Sequence, residues 1–484
     1  MYTASITKNE VNDKKFNLTD LGNANRFVHR HGENIRYCYK WNKWLVWDGK
    51  KWVVDDGDRI EYLAKETIRN IYREAAAVND DKERSALVKH AKDSESKKNL
   101  QAMVALSQSE PGVPIETDAL DCNMWLLNCN NGTLNLETGI LQEHKREDLI
   151  TKIINVDYNS QADFIEWQNF LDVIMEKNTD MTEFLKRAVG YSLTGCGREQ
   201  CIFIPYGHGR NGKTTFLSVI NELLGPYSAN ISSDSLMVKD KQGIPNDIAR
   251  LKGVRFLIST ETEEHKRLSE SLVKSVTGGE KINARFLRQE FFEFQPEFKL
   301  WLATNHKPII RGTDLGIWRR LKLIPFNLTI PEEAKEEGDI KDDKNILSKL
   351  KANLSGVLNW AVIGCQEWLK NGLGIPKEVV KATKEYRTEM DIIANYLEDR
   401  CVMEPGSEIE AGELYNDWKD WCEHNGEHPG TQRNLTSKLG DRKIEKRQGH
   451  SRKNYWQGIR LLHDNEAKEL ENERKSIIHE VKFR

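Results

Sequence analysis

Apolar positions near the amino end of the chain occur in short runs separated by turn residues, a pattern that predicts antiparallel strands. Three such runs lie at Ile35–Tyr39, Trp44–Trp47 and Lys51–Val54. Asp48-Gly49, between the last two runs, is typical of a tight hairpin, and a second hairpin is predicted to turn at Asn131-Gly132. Residues 56–107 are charged and have helical spacing. Together these patterns predict a mixed α+β domain over residues 16–160, preceded by a polar, disordered tail at 1–15, with the tryptophans serving as its core more than as base-stacking groups.

From residue 161 onward, helical patterns alternate with apolar runs that are short enough for buried strands. The apolar runs are Cys201–Tyr206, Lys252–Glu261, Phe298–Thr304 and Leu321–Phe326. Helical patterns lie between them, for example at 163–176, 180–193 and 267–278. Strands that alternate with helices predict an α/β fold with a mostly parallel sheet covered on both faces. We predict that this domain spans residues 161–386.

The carboxyl-terminal part combines an aromatic helix with a basic segment. Tyr415, Trp418 and Trp421 lie on the helix, and residues 430–453 contain eight Lys and Arg against two acids. Short helices followed by a basic, turn-rich and strand-like segment predict a winged-helix-like domain over residues 387–463, before a charged tail at 464–484. DNA binding there is predicted, with a purely structural module as the alternative. The candidate contacts are Arg442, Lys443, Lys446 and Arg447.

A glycine-rich segment directly follows the first apolar run of the central domain. Residues Gly207 to Thr214 fit the pattern G-x-x-x-x-G-K-[ST], and a helical pattern continues to Leu224. Strand, glycine loop and helix form the context in which this pattern binds phosphate, and an ordinary glycine turn is the weaker alternative. Backbone N–H groups and the helix N-terminus favour phosphate oxygens. We therefore predict a nucleoside triphosphate site formed by Gly207, Gly209, Asn211, Gly212, Lys213, Thr214 and Thr215.

A carboxylate is predicted to complete this site. Glu261 ends an apolar run and lies some 48 residues beyond Lys213, and Glu263 is the substitute. A carboxylate near Mg²⁺ can polarise the attacking water, while Lys213 reaches the β- and γ-phosphates and the Thr214 hydroxyl holds the metal. The alternative is an acid that merely ends a strand. ATP and Mg²⁺ are the expected cofactors, with Thr214 and Glu261 as metal ligands.

Composition limits the other classes of function. The net charge of −3 neither requires nor excludes a polyanionic partner. No apolar stretch is long enough for a transmembrane helix, and the amino end lacks the core of a signal peptide, so we expect a cytoplasmic protein without a membrane partner. The eight cysteines form no C-x-x-C pair, which favours free thiols over structural zinc.

Several segments, taken in order, resemble superfamily 3 helicases, specifically the phage and plasmid primase–helicase family. They are GHGRNGKTT, RFLISTE, SVTGGEKINARFLR, KLWLATN and DLGIWRRLKLIPF. Upstream, LGNANRF, WLVWDGKKW and NCNNGTLNLETG resemble the helicase-associated domain of that family. The resemblance covers nearly the whole chain. It implies an α/β fold with an AAA+-like P-loop ATPase core between the mixed α+β domain and the winged-helix-like domain.

The resemblance also implies roles for single residues. Glu261 matches the Walker B acid, but Thr260 stands where many relatives have a second acid, which leaves the choice between Glu261 and Glu263 open. Asn305 matches the sensor of the γ-phosphate. Arg320 matches the arginine finger given to the neighbouring subunit, with Arg319 as the stand-in and a solvated arginine pair as the alternative. The DNA-contacting hairpin of the family corresponds to Lys281, Arg285 and Arg288, although either arginine could instead form a surface ion pair.

These assignments imply an ATP-dependent, ring-forming DNA helicase for the replication of a phage, plasmid or integrated mobile element in a bacterial cytoplasm. A finger supplied in trans requires a closed ring, and a homo-hexamer is expected to act on single-stranded and forked DNA. No acidic pair before residue 150 suits a primase metal site, so a separate primase is an expected partner. The alternatives are a protein-remodelling ATPase without unwinding and an origin-binding initiator switched by ATP.

Overall fold

A computed structural model describes residues 15–238, 250–260, 266–284, 292–312, 314–331, 343–425, 427–449, 452–463 and 466. Four of the candidate site residues, Glu261, Glu263, Arg285 and Arg288, lie outside these ranges, as does nearly all of both predicted tails. In the described ranges, no helix combines the length and apolar composition that crossing a membrane requires.

The first helices and strands pack around a core of their own. They are α1 (Asp20–His31), β1 (Ile35–Cys38), β2 (Lys43–Trp47), β3 (Trp52–Val54), α2 (Arg59–Ala77), α3 (Asp81–Ser94) and α4 (Lys97–Ser107). The strands form an antiparallel sheet in the order β1-β2-β3, as their alternation predicts. Asp80 and Ser96 start α3 and α4, since each side chain accepts a hydrogen bond from the backbone N–H three residues ahead. Trp52 is buried in a separate small core with Cys38, Leu45 and Leu120.

A second antiparallel sheet contains β4 (Leu126–Cys129), β5 (Gly132–Asn135) and β6 (Ile140–Gln142). Cys129 pairs with Gly132, so the hairpin turns at residues 130–131, and the prediction of a turn at Asn131-Gly132 was wrong by one position. The side chain of Asn131 instead exchanges two hydrogen bonds with the backbone of Tyr158. Glycine is required at 132 for close packing, because a Cβ there would lie 2.5 Å from the Gln142 carbonyl oxygen.

The central element is a five-stranded, entirely parallel sheet, which confirms the predicted parallel arrangement. Its order is β13-β7-β12-β9-β8, with β7 at Ile202–Tyr206, β8 at Ser228–Ser232, β9 at Phe256–Thr260, β12 at Lys299–Ala303 and β13 at Leu321–Pro325. A short antiparallel hairpin, β10 (Ile282–Ala284) and β11 (Phe292–Phe294), precedes β12.

Helices cover both faces of this sheet, because alternate strand residues point to opposite sides. One face packs on α5 (Ile165–Ile174), α6 (Thr179–Ser192), α7 (Lys213–Leu224), α10 (Ile346–Ala352) and α11 (Leu354–Asn371). The other face packs on α8 (Glu270–Thr277), α9 (Leu315–Trp318) and α12 (Lys377–Glu389). The predicted helix at 267–278 starts later, at Glu270, because Arg267 and Leu268 make β-bridges to neighbouring segments. Leu127 and Leu134 share the first of these cores, so the β4–β6 sheet packs against the central sheet.

The carboxyl-terminal residues pack around a separate core of their own. Its elements are α13 (Ile392–Arg400), β14 (Cys401–Glu410), α14 (Ala411–His424), α15 (Gln432–Asp441), β15 (Lys446–Gln448) and β16 (Asn454–Leu461). The antiparallel sheet has the order β14-β16-β15. Trp418, Leu435 and Trp456 join the helices to this sheet.

Candidate functional site

The glycine-rich loop 207–212 connects the end of β7 to the start of α7, as its sequence predicts. Gly212 has a left-handed backbone, with φ of 82°, and a Cβ there would lie 2.4 Å from Cγ2 of Ile174. Glycine is therefore required by both conformation and space. At Gly209, in contrast, an added Cβ would meet no atom within 4 Å. Asn211 fixes the loop, because its Nδ2 donates to the carbonyl oxygens of His208 and, at 3.1 Å, Phe326.

Lys213 is buried at the first position of α7, with 6% of its surface exposed. Its Nζ donates to the carbonyl oxygen of Gly207 at 2.6 Å, to Oδ1 of Asn211 at 3.0 Å and to Oδ1 of Asn305 at 3.1 Å. All three acceptors are uncharged. Burial lowers the pKa of the Lys213 ammonium to about 8. A phosphate anion beside it would favour the charged form, so this position suits a cation that is neutralised by a ligand.

Asn305 follows β12, the strand next to β7, so that the loop and the predicted sensor meet at the carboxyl edge of the sheet. β9 lies on the other side of β12 and ends at Thr260, one residue before Glu261. Parallel strands bring their carboxyl ends to one edge, where ligands of open α/β sheets bind. Thr214 is exposed and Thr215 half-buried in the first turn of α7.

The two candidate arginines lie near the amino ends of the sheet strands, whereas the glycine loop lies at their carboxyl ends. The carbonyl oxygen of Arg320 accepts a hydrogen bond from the N–H of Ile202, the first residue of β7. The five residues of β7 separate this point from the glycine loop, a distance of about 16 Å along the strand. Neither arginine is therefore placed beside the glycine loop of its own chain.

Arg319 and Arg320 differ in their surroundings. Arg320 is 8% exposed, and its guanidinium donates to Oγ1 of Thr277 at 3.0 Å and to the carbonyl oxygen of Gly316 at 2.5 Å. Burial lowers the pKa of Arg320. Arg319 is exposed, with one bond from Nη2 to Oε1 of Gln200 at 3.2 Å. The sequence favoured Arg320 as the finger, whereas exposure favours Arg319.

The predicted DNA-binding residues are dispersed. Lys281 is exposed at the start of the β10–β11 hairpin. Arg442 is half-buried and forms an ion pair with Asp391, which lies just before α13, so its guanidinium holds parts of the fold together. Lys443, Lys446 and Arg447 are exposed, and Nζ of Lys446 lies 5.6 Å from the ring centre of Trp456.

Sequence reasoning missed a contact next to the sensor. Lys307 forms an ion pair with Glu389 of α12, with Nζ 2.7 Å from Oε2, and lies against the ring of Tyr206, the residue before the glycine loop. The side chains of Lys307 and Glu389 come from positions 82 residues apart, so no local sequence signal could reveal the pair.

A buried cation at the amino edge of the sheet was also missed. Lys299 is 2% exposed, and its Nζ donates to the carbonyl oxygens of Thr194 and, at 2.9 Å, Glu297, while lying 4.7 Å from the ring centre of Tyr191. Burial, together with the nearby Arg255 guanidinium, lowers the pKa of Lys299 to about 7.

Two families match parts of the chain. The family described as D5 N terminal like matches residues 24–176, and a family of unknown function matches residues 206–320. The second match begins at Tyr206, one residue before the glycine loop, and ends at Arg320.

The similar proteins come from large DNA viruses. A protein of Acanthamoeba polyphaga mimivirus, named as a helicase, is 28% identical over 325 residues, which cover 63% of this chain and 34% of that protein. One of Frog virus 3, also named as a helicase, is 28% identical over 275 residues, covering 54% and 28%. One of African swine fever virus, named as a primase, is 26% identical over 333 residues, covering 63% and 34%. The chain thus spans about a third of the length of these relatives.

Among solved structures, the C-terminal region of NrS-1 is similar with a TM-score of 0.46 and 12% identity, covering 84% of this chain and 83% of that one. The D5-type match covers the part of the chain that precedes the glycine loop, and the viral relatives match up to 63% of the chain. These matches to parts of the chain support a member of the D5-like superfamily 3 helicase–primase family, the phage-type primase–helicases.

Proposed function

We propose that the chain is an ATP-dependent DNA helicase that acts in the replication of a phage, plasmid or integrated mobile element. The observation that carries this proposal is the 3.1 Å contact between Nζ of Lys213 and Oδ1 of Asn305. It joins the end of the glycine loop to the neighbouring strand at the edge where parallel sheets bind ligands. The names of the viral relatives support DNA as the substrate.

In this proposal the central domain is an AAA+-like P-loop ATPase that takes ATP and Mg²⁺. The loop N–H groups hold the phosphates, Lys213 binds the β- and γ-phosphates, and the Thr214 hydroxyl binds Mg²⁺. Glu261, or Glu263 in its place, polarises the attacking water. Asn305 contacts the γ-phosphate or that water, and its side chain already lies beside the Lys213 ammonium.

Hydrolysis would be completed by a neighbouring subunit. Arg319 and Arg320 lie at the edge of the sheet away from the loop of their own chain, a placement that suits action in trans. A head-to-tail interface that closes produces a ring, for which we propose a homo-hexamer. We assign the finger to Arg319, since its guanidinium is exposed, and assign Arg320 to holding α9 against α8 through Thr277.

DNA contacts are proposed at two places. The β10–β11 hairpin, with Lys281, Arg285 and Arg288, would follow the phosphates of a single strand in the central channel. The carboxyl-terminal elements run in the order helix, strand, helix, helix, strand, strand, which supports a winged-helix-like module. Its basic exposed residues include Lys443, Lys446 and Arg447.

The test is the unwinding of a labelled forked duplex by the full chain with ATP and Mg²⁺, using Lys213→Ala as the inactive control. The proposal expects strand separation by the wild type and none by Lys213→Ala. ATP hydrolysis that is indifferent to single-stranded DNA and unwinds no fork would refute it in favour of a remodelling ATPase. Duplex binding that is sequence-specific and survives Lys213→Ala, without unwinding, would favour an initiator.

A further inference from the structure

The carboxyl-terminal module contains a groove that the sequence did not reveal. It lies between the first turns of α15, the start of α14 and the amino end of β16, and its volume is about 440 Å³. The polar residues that line it are Glu410, Gln432, Arg433, Thr436, Lys446, Arg452, Lys453 and Asn454. They come from four separate elements, so only the folded module brings them together.

The lining is strongly cationic. Four of its side chains are basic and one is acidic, and the acid, Glu410, is paired with Lys453 at 2.8 Å between Oε2 and Nζ. Within the described chain, Arg433 and Arg452 have no ion-pair partner, and both are exposed. Nζ of Lys446 lies 5.6 Å from the ring centre of Trp456, and no ion pair of Lys446 is found among the described residues. Three cations are therefore left to neutralise an anionic partner, a charge pattern that complements a row of phosphates.

We propose that this groove binds duplex DNA, with Arg433 on the helix side and Lys446 and Arg452 on the strand side contacting the sugar–phosphate backbone. Arg433 and Thr436 are one turn apart on α15, and Gln432 and Thr436 share the same helix face. An α-helix fits the major groove, where amide, hydroxyl and guanidinium groups can reach base edges. The exposed beginning of α15 therefore enters the major groove while the basic residues flanking it contact phosphates.

The chemistry of the lining favours a duplex over a single strand. Proteins that hold single strands stack bases on aromatic rings. Among the residues of the described chain that line the groove, none is aromatic, and the ring of Trp456, against which Lys446 lies, is buried. Cations and hydrogen-bonding groups without a stacking surface match the outside of a paired helix.

This inference deepens the proposed function by naming a duplex partner for a second site, distinct from the channel hairpin. It also revises which basic residues carry that contact. Arg442, which the sequence suggested, is held by Asp391, and neither Lys443 nor Arg447 lines the groove. Arg433 and Arg452 take their place beside Lys446.

The test adds the full chain to a labelled blunt duplex, or to its labelled single strand, and measures the fluorescence anisotropy of the DNA. The titrations contain no nucleotide and are repeated over a range of salt concentrations. Arg433→Ala/Arg452→Ala is expected to weaken duplex binding about tenfold or more and to lower the salt slope by about two. Single-strand affinity should change by less than about twofold. Arg433→Lys/Arg452→Lys should retain most of the affinity, since phosphates respond to charge.

Lys443→Ala/Arg447→Ala is the matched control, because it removes two charges from the same module outside the groove. It should weaken duplex binding by less than about threefold. Equal losses in the control and the groove variant, or equal losses for duplex and single strand, would overturn the proposal, as would unchanged duplex affinity in Arg433→Ala/Arg452→Ala. The binding test contains no ATP and does not depend on unwinding. A chain that fails to unwind the forked duplex would therefore count against the helicase function and leave the result of the binding test intact.

Discussion

Replacing Arg319 and Arg320 by alanine, one at a time, separates an arginine that acts on a neighbour's ATP from one that holds the fold. Arg320→Ala removes two hydrogen bonds made by a buried guanidinium, to Thr277 and to Gly316. Bonds to charged donors contribute about 1.5–3 kcal/mol each, so we expect a loss of about 3 kcal/mol in the free energy of unfolding. Arg319→Ala removes one bond from an exposed side chain and should cost less than about 1 kcal/mol.

The catalytic effects should have the opposite order. An arginine finger contributes on the order of 10³-fold or more to hydrolysis, equivalent to about 4 kcal/mol in the transition state. Arg319→Ala is therefore expected to lower ATP hydrolysis on DNA by that factor at unchanged thermal stability. Arg320→Ala should lower the unfolding midpoint, and its residual activity should recover on cooling below that midpoint.

A mixing experiment tests the action in trans directly. Rings assembled from equal amounts of Arg319→Ala and Lys213→Ala combine an intact loop with an intact finger at about a quarter of their interfaces. The mixture of two inactive variants should then recover a substantial part of wild-type hydrolysis. Full activity of Arg319→Ala in an assembled ring would show that this arginine is not the finger, and no recovery from two inactive variants in mixed rings would show that it does not act in trans.

Three further variants test the site and its supports. Gly212→Ala should weaken binding of a fluorescent ATP analogue by about tenfold or more, because a left-handed backbone and a steric clash each cost about 1–2 kcal/mol. Gly209→Ala is the control: its Cβ would lie in open space, so it should bind the analogue nearly as tightly as the wild type. Burial lowers the pKa of Lys299 to about 7, so above that pH the folded state binds fewer protons than the unfolded state. The free energy of unfolding of the wild type should therefore rise between pH 7 and 8.5, by up to about 1.4 kcal/mol per pH unit. Thermal unfolding of Lys299→Met over the same pH range should lack this slope. Glu389→Gln removes the carboxylate bound by Lys307 and should lower DNA-stimulated hydrolysis more than basal hydrolysis, as measured by phosphate release with and without duplex.

The features that the sequence predicted well are those determined by neighbours in the chain. The glycine loop depends on the positive φ of Gly212 and on the strand and helix directly beside it, all of which are local. The parallel sheet follows from apolar runs that alternate with helical patterns. The turn at residues 130–131 was misplaced because Gly132 is needed for its close approach to Gln142, and packing of that kind leaves no local signal.

Distant contacts explain what the sequence could not supply. Arg319 and Arg320 are adjacent and chemically identical, and only Thr277, 43 residues from Arg320, distinguishes the buried guanidinium from the exposed one. Lys299 appears in an apolar run as an ordinary strand residue, yet it is a buried cation because the carbonyl oxygens of Thr194 and Glu297 surround its ammonium. The groove beside α15 likewise depends on four elements that meet only in the fold.

Two ion pairs connect the turn after β12, beside the glycine loop, with the carboxyl-terminal module. Lys307, two residues after Asn305, holds Glu389 at the end of α12, and Asp391, just beyond that helix, holds Arg442 at the end of α15. A displacement of the turn at Asn305, the proposed sensor, would therefore reach the end of α15, the proposed DNA-binding helix, through a short and largely helical connection. Such coupling requires that the joint has two arrangements that nucleotide and DNA favour differently. This is why Glu389→Gln should affect stimulation by DNA more than hydrolysis itself: it loosens the connection while leaving every phosphate-binding group in place.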